Sequence, residues 1–87
     1  VNESLDVMSF EDMKTEVEPA LQSKAEEFHF LGYESVSNEE VWNCVMRQAQ
    51  KKKEEAKLHV LVGLILGLSL TDFMNWLTLE AFKRDVE

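Results

Sequence analysis

Cys44, His29 and His59 are the chain's single thiol and its two imidazoles. They are the first places to look for nucleophilic, acid–base or metal chemistry. A thiol nucleophile needs a base within hydrogen-bond reach, and a structural zinc site needs four thiolate or imidazole ligands at set spacing. Neither pattern is present. There is no glycine-rich phosphate loop, no nucleophile elbow and no paired histidine at helical spacing. Cys44 borders an apolar helical face and reads as a small buried residue. His59 adjoins an apolar run and reads as a partly buried, hydrogen-bonded histidine. The sequence therefore predicts no catalytic residue, no metal site and no cofactor.

Two other groups could recognise a partner. Arg47, Lys51, Lys52, Lys53 and Lys57 form a basic cluster, interrupted by Glu54 and Glu55, in a chain of net charge −8. Such a cluster can hold a nucleic-acid backbone. No glycine–aromatic recognition pattern accompanies it, so a solvated connection is the favoured reading. The second group is Trp76, Leu79 and Phe82. A patch of Trp, Phe and Leu has the composition of a binding hot spot, although such residues are also common in cores. Glu80 lies among Phe73, Trp76 and Leu77, so its head must reach water or a donor. Gly63 and Gly67 lie four apart, a spacing that lets another backbone approach closely, either within the fold or from a second subunit.

Helices must position these groups, because no period-two alternation persists and the chain holds a single Pro and three Gly. The first helix is expected from about Phe10 to Leu31, capped by Ser9, with Phe10, Met13, Val17, Leu21, Ala25 and Phe28 on one face. The register continues through Pro19, which favours a kink over a division into two helices with Pro19 as the first residue of the second. Gly32 supplies a left-handed stop, after which Tyr33 can pack back on Phe28.

The second helix opens on a capping box. Ser37 caps, Glu40 answers, and Val36 can staple on Val41. Its expected buried face is Val41, Trp42, Val45, Met46 and Ala49, with Asn43, Arg47 and Gln50 toward water. The third is expected from about Glu54 to Leu68, with Leu58, Leu61, Val62, Ile65 and Leu66 facing the core. The fourth follows at once. Ser69 caps it, Asp72 stands at the third position, and Leu68 can staple on Phe73. This last helix is apolar on almost every side, more than a peripheral helix needs. Together with the equally apolar third helix it is expected at the centre, with Phe73, Leu77 and Ala81 turned inward.

At 87 residues, 45% hydrophobic and 30% charged, the chain has the composition of one folded domain. Its acidic balance argues against a protein whose main role is holding phosphates. One Cys excludes an internal disulfide and suits a reducing compartment. The apolar run Leu58–Leu70 is shorter than the ~20 residues that span a bilayer. No secretory signal pattern opens the chain, so a cytoplasmic location is expected. Val1–Met8 reads as an extension, with Met8 a plausible natural start, and residues 9–87 as a single helical domain.

Several blocks are distinctive in combination. They are Val17-Glu-Pro-Ala-Leu, Glu27-Phe28-His29, Leu31-Gly32-Tyr33, Val41-Trp42 with Cys44, Leu58-His59, and Asp72-Phe73-Met74-Asn75-Trp76-Leu77-Thr78-Leu79-Glu80-Ala81. In order and spacing they resemble the ComN-like post-transcriptional regulator family of Gram-positive bacteria, over about Val17 to Lys83. The resemblance implies a cytoplasmic non-enzyme that influences messenger RNA, that of a competence-type operon in the type case. It also implies work through protein contacts, with a cell-pole division scaffold as a candidate partner.

The resulting expectation is an all-α compact bundle of about four helices, the third and fourth central. It acts as a protein-binding adaptor with Trp76, Leu79 and Phe82 as anchors. The competing expectations are direct RNA binding through Arg47, Lys51, Lys52, Lys53 and Lys57, and a structural homodimer sealed by the third or fourth helix.

Overall fold

The computed structural model describes residues 10–52 and 57–86, and the side chains of residues 12–52 and 57–83. Val1–Met8, the expected cap Ser9, the Phe10 side chain, and Lys53, Glu54 and Glu55 lie outside the described residues. Five helices follow in order: α1 Phe10–Glu16, α2 Glu18–Phe30, α3 Asn38–Lys51, α4 Leu58–Leu66 and α5 Leu70–Val86. No strand occurs among the described residues. The fold is an all-α bundle, as expected, with five helices among the described residues where four are expected.

The extra helix arises at Pro19. The expected kink is a division at Val17, and Pro19 lies in the first turn of α2, where a missing N–H costs little. The interruption is a single residue. Val17 N–H still reaches the Met13 carbonyl, and Leu21 N–H reaches that of Val17, both at 3.0 Å. The apolar stripe therefore runs unbroken, and Met13, Val17, Leu21, Ala25 and Phe28 are all buried. Lys14 of α1 pairs with Glu39 at the start of α3.

Gly32 ends α2 with φ +108°, a conformation that disfavours any side chain bearing a Cβ. Tyr33 N–H bonds the Phe28 carbonyl and Gly32 N–H that of His29, each at 2.9 Å, the two bonds of a Schellman stop. The Tyr33 ring itself remains largely exposed. The His29 Nε2–H donates to the Val36 carbonyl at 2.6 Å, holding the α2–α3 loop against the helix that precedes it.

The capping box of α3 forms as read. Glu40 N–H donates to Ser37 Oγ at 3.1 Å, and Ser37 N–H to Glu40 Oε1 at 3.0 Å. Val36 and Val41 are both buried beside it. From this start α3 sends Val41, Trp42, Cys44, Val45 and Ala49 inward, and it packs against α2, α4 and α5. The centre of the bundle is therefore α3, not the two helices that follow it.

The expected centrality of the last two helices fails at the turn between them. α4 begins at Leu58, not Glu54, because Lys57 is extended (φ −102°, ψ 148°), and it ends at Leu66, not Leu68. α5 then departs at 100° to α4, so the two apolar helices diverge instead of burying each other. α4 buries Leu61 and Ile65, but Leu66 on its expected core face is 57% exposed. α5 fully buries Phe73, while Leu77 is half-buried and Ala81 exposed. The glycines do not bring backbones together either. A methyl group at Gly63 would meet nothing within 4 Å, and one at Gly67 would meet the Gly63 carbonyl of its own helix at 3.1 Å.

One residue of α2 holds the α4–α5 corner. Lys24 is 4% exposed. Its Nζ donates to the carbonyls of Leu66 at 3.1 Å and Leu68 at 3.0 Å, and pairs with Glu27 at 3.1 Å. The same ammonium lies 5.7 Å from the Phe28 ring centroid, within cation–π range. A lysine can be buried when all three donors are used, and here the acceptors include carbonyls at and just beyond the end of α4.

Candidate functional site

α5 is anchored at its first turn. Ser69 Oγ accepts from Asp72 N–H at 3.1 Å, and the buried pair Leu68 and Phe73 flanks this cap. The Phe73 ring lies 5.2 Å from that of Phe28 and 5.8 Å from that of Trp76, distances at which tilted rings attract. Three rings thus lead outward from Phe28 of α2 through Phe73 to Trp76 on α5. Trp76 is half-buried where they end. Beyond it Leu79 is 57% and Phe82 67% exposed.

α3 runs beside this stretch and presents Cys44, Arg47, Gln48, Lys51 and Lys52 to it. Their spacing, i, i+3, i+4, i+7 and i+8, is one face of a helix. Asp72, Trp76, Leu79 and Lys83 follow the same rule on α5. The two faces bound an open groove of about 700 Å³. On the other side of Trp76 a smaller hollow of about 410 Å³ includes Asn43, Met46 and Gln50 of α3 with Leu77 and Ala81 of α5. Trp76 is therefore a ridge between two hollows.

The groove has an apolar floor and a charged wall. Trp76, Leu79 and Phe82 supply the floor, and Arg47, Lys51 and Lys52 the wall. None of those three cations is in an ion pair among the described residues. Asp72 and Glu80 also line the groove, but Glu80 is partly satisfied by Lys83 at 3.4 Å. Glu80 is half-buried with its head at solvent, the simpler of the two sequence expectations.

The structure thus brings together two groups that the sequence kept apart. Trp76, Leu79 and Phe82 share one groove with Arg47, Lys51 and Lys52. Lys57 stands elsewhere, exposed at the start of α4, and Lys53 lies outside the described residues. Lys83, near the far end of α5, also lines the groove. The matching i, i+3, i+4 and i+7 spacings were the available signal. What they could not supply was that the two faces oppose each other. Phe30 at 92% and Leu31 at 54% exposure form a separate apolar tip at the end of α2 that sequence periodicity did not mark.

The residues equipped for catalysis do not converge. Cys44 is buried, and its thiol is pushed up to about 11 by burial, with a smaller push from the Asp72 carboxylate. It stays a protonated thiol at neutral pH. His29 is engaged in the α2–α3 loop, and His59 is exposed on α4, contrary to its expected partial burial, because Leu61 and Ile65 turn the other face of that helix inward. No single helix among the described residues is long and apolar enough to cross a membrane.

Comparison with known proteins gives two positive findings. The family described as Post-transcriptional regulator matches residues 10–87. The Post-transcriptional regulator ComN of Bacillus subtilis (strain 168) is 41% identical over 70 residues, covering 80% of this chain and 71% of that protein. No solved structure matches the chain significantly.

Proposed function

This chain belongs to the post-transcriptional regulator family, and from that premise we propose that it is a non-enzymatic adaptor that regulates messenger RNA by docking a protein partner in the α3–α5 groove. The observation that carries this reading is the exposed pair Leu79 and Phe82 beside half-buried Trp76. These apolar side chains sit on a helix fixed to the core by Phe73, so they are presented in a set geometry. Preorganised aromatic anchors of this kind lose little entropy on binding. The proposal takes a bacterial mRNA of the competence-operon type as its target and a cell-pole division scaffold as its candidate partner, as the resemblance in the sequence implies.

A second reading uses the opposite wall. Arg47, Lys51 and Lys52 would contact RNA phosphates directly. It is favoured by their exposure and by the exposed Phe82 ring nearby.

Replacing Leu79 and Phe82 together by Ser separates the two readings. In cells lacking the native chain, the double variant should fold normally by circular dichroism and lose control of a reporter fused to the target transcript. Retained control by the folded variant would sink the docking reading. For the second reading, a gel shift with the target leader RNA should weaken steeply between low and high salt. Salt-insensitive binding that survives replacement of Lys51 and Lys52 would remove it.

A further inference from the structure

We infer that the occupant of the α3–α5 groove is an acidic amphipathic helix, a deepening that rests on the docking reading above. Three observations lead there. The first is shape. The groove is bounded by two helical faces, and the stretch from Trp76 to Lys83 spans about 10 Å at the usual helical rise. That is two turns of a third helix, which can lay an i, i+3 or i+4, i+7 apolar stripe along the floor.

The second observation is the order of the chemistry. Leu79 and Phe82 are more than half exposed, and Arg47, Lys51 and Lys52 stand beside them on the neighbouring helix. An apolar floor with a cationic wall complements a helix whose apolar stripe is flanked by Asp and Glu. The third is the charge background. The chain carries −8 overall, which disfavours an acidic partner in general, whereas in the groove Arg47, Lys51, Lys52 and Lys83 outnumber Asp72 and Glu80. This wall therefore fixes where and in which orientation an acidic helix lands.

RNA fits the same groove less well. The Leu79 side chain offers nothing to a sugar–phosphate backbone. Trp76 is engaged by Phe73 at 5.8 Å, which reduces the ring surface left for a base to stack on.

The test is fluorescence anisotropy with the full chain and three labelled probes. One is an 18-residue peptide with Leu at i, i+3, i+7 and i+10 and Glu and Ala elsewhere. The second has Lys in place of every Glu. The third is a 20-nucleotide oligouridine. The acidic peptide should bind at least tenfold more tightly than the basic one. Lys51→Glu with Lys52→Glu should erase that preference, and Phe82→Ser should weaken binding at least tenfold while the fold persists. Equal binding of both peptides, displacement of the acidic peptide by oligouridine, or no binding at hundred-micromolar chain would overturn the inference. So would light scattering that shows the groove sealed by a second copy. If the peptide fails while Leu79→Ser with Phe82→Ser still abolishes reporter control, the occupant is wrong and the docking site stands. If that control also persists, both readings fall.

Discussion

The two tryptophans of this chain sit on neighbouring helices and have different fates. Trp42 on α3 is 7% exposed in the core, whereas Trp76 on α5 is half-buried at the edge of a groove. α3 is the more polar helix, with a clear division between buried and solvated faces. α5 is apolar nearly all round, yet Phe73 is its one fully buried hydrophobic side chain among those described. Burial is therefore not read from how apolar a helix is. It depends on how many neighbours the chain path delivers. α3 has three helices around it, and α5 leaves the bundle at 100° to α4 and leans on α3. The apolar surface left over on α5 is what a partner can use.

Paired substitutions test that contrast. The largest effect should come from Trp42→Ala, which should destabilise the fold by about 3–5 kcal/mol in urea denaturation. Trp76→Ala should cost less, about 2–3 kcal/mol, since its side chain is only partly buried against the core. Equal losses would place both tryptophans in one core and end the comparison.

Lys24→Ala should follow, at about 2–3 kcal/mol, because it leaves the Leu66 and Leu68 carbonyls without their donor. The same change should loosen α5 more than α3, seen as faster amide exchange across Phe73–Leu77. Uniform loosening would mean that the corner does not set the pose of α5.

Alkaline pH probes the boundary between the two helices, where Cys44 faces Asp72. The folded thiol holds its proton up to about pH 11, while the unfolded thiol releases it near 9.0. Between those values the native state binds more protons, so stability falls as pH rises. The loss should reach at most about 2.5 kcal/mol at pH 11, and Cys44→Ala should flatten that part of the profile. A profile unchanged by Cys44→Ala would remove burial of this thiol as its cause. Below about pH 8 the thiol is protonated in both states and contributes no pH dependence.

Ser37→Ala should cost about 1 kcal/mol through the lost cap of α3. The smallest effect belongs to Phe82→Ser, expected within about 0.5 kcal/mol of the parent. A large loss there would mean that the exposed end of α5 is structural and not a recognition surface.

What could be read directly from the residues was local. The Ser37–Glu40 box, the Ser69 cap and the Gly32 stop each involve residues within a few positions of one another, so spacing suffices to find them. The apolar stripe of α1 and α2 was equally plain, although the helix that carries it is divided at Val17. The bundle centre was not, because it depends on helix directions. Those are fixed in part by Lys24 bonding carbonyls 42 and 44 positions away, and no window of sequence contains both ends. The same gap hid the site. Both of its faces were visible as spaced residues, and the contact that makes them one groove was not.

The ring series Phe28, Phe73, Trp76 has an optical consequence. It ends in an indole that borders both the core and the groove. With Trp42 replaced by Phe, Trp76 is the sole remaining indole. Its emission then answers to whatever displaces water from the groove floor, without any added label. The residue that joins the proposed docking surface to the core is also the molecule's own gauge of occupancy.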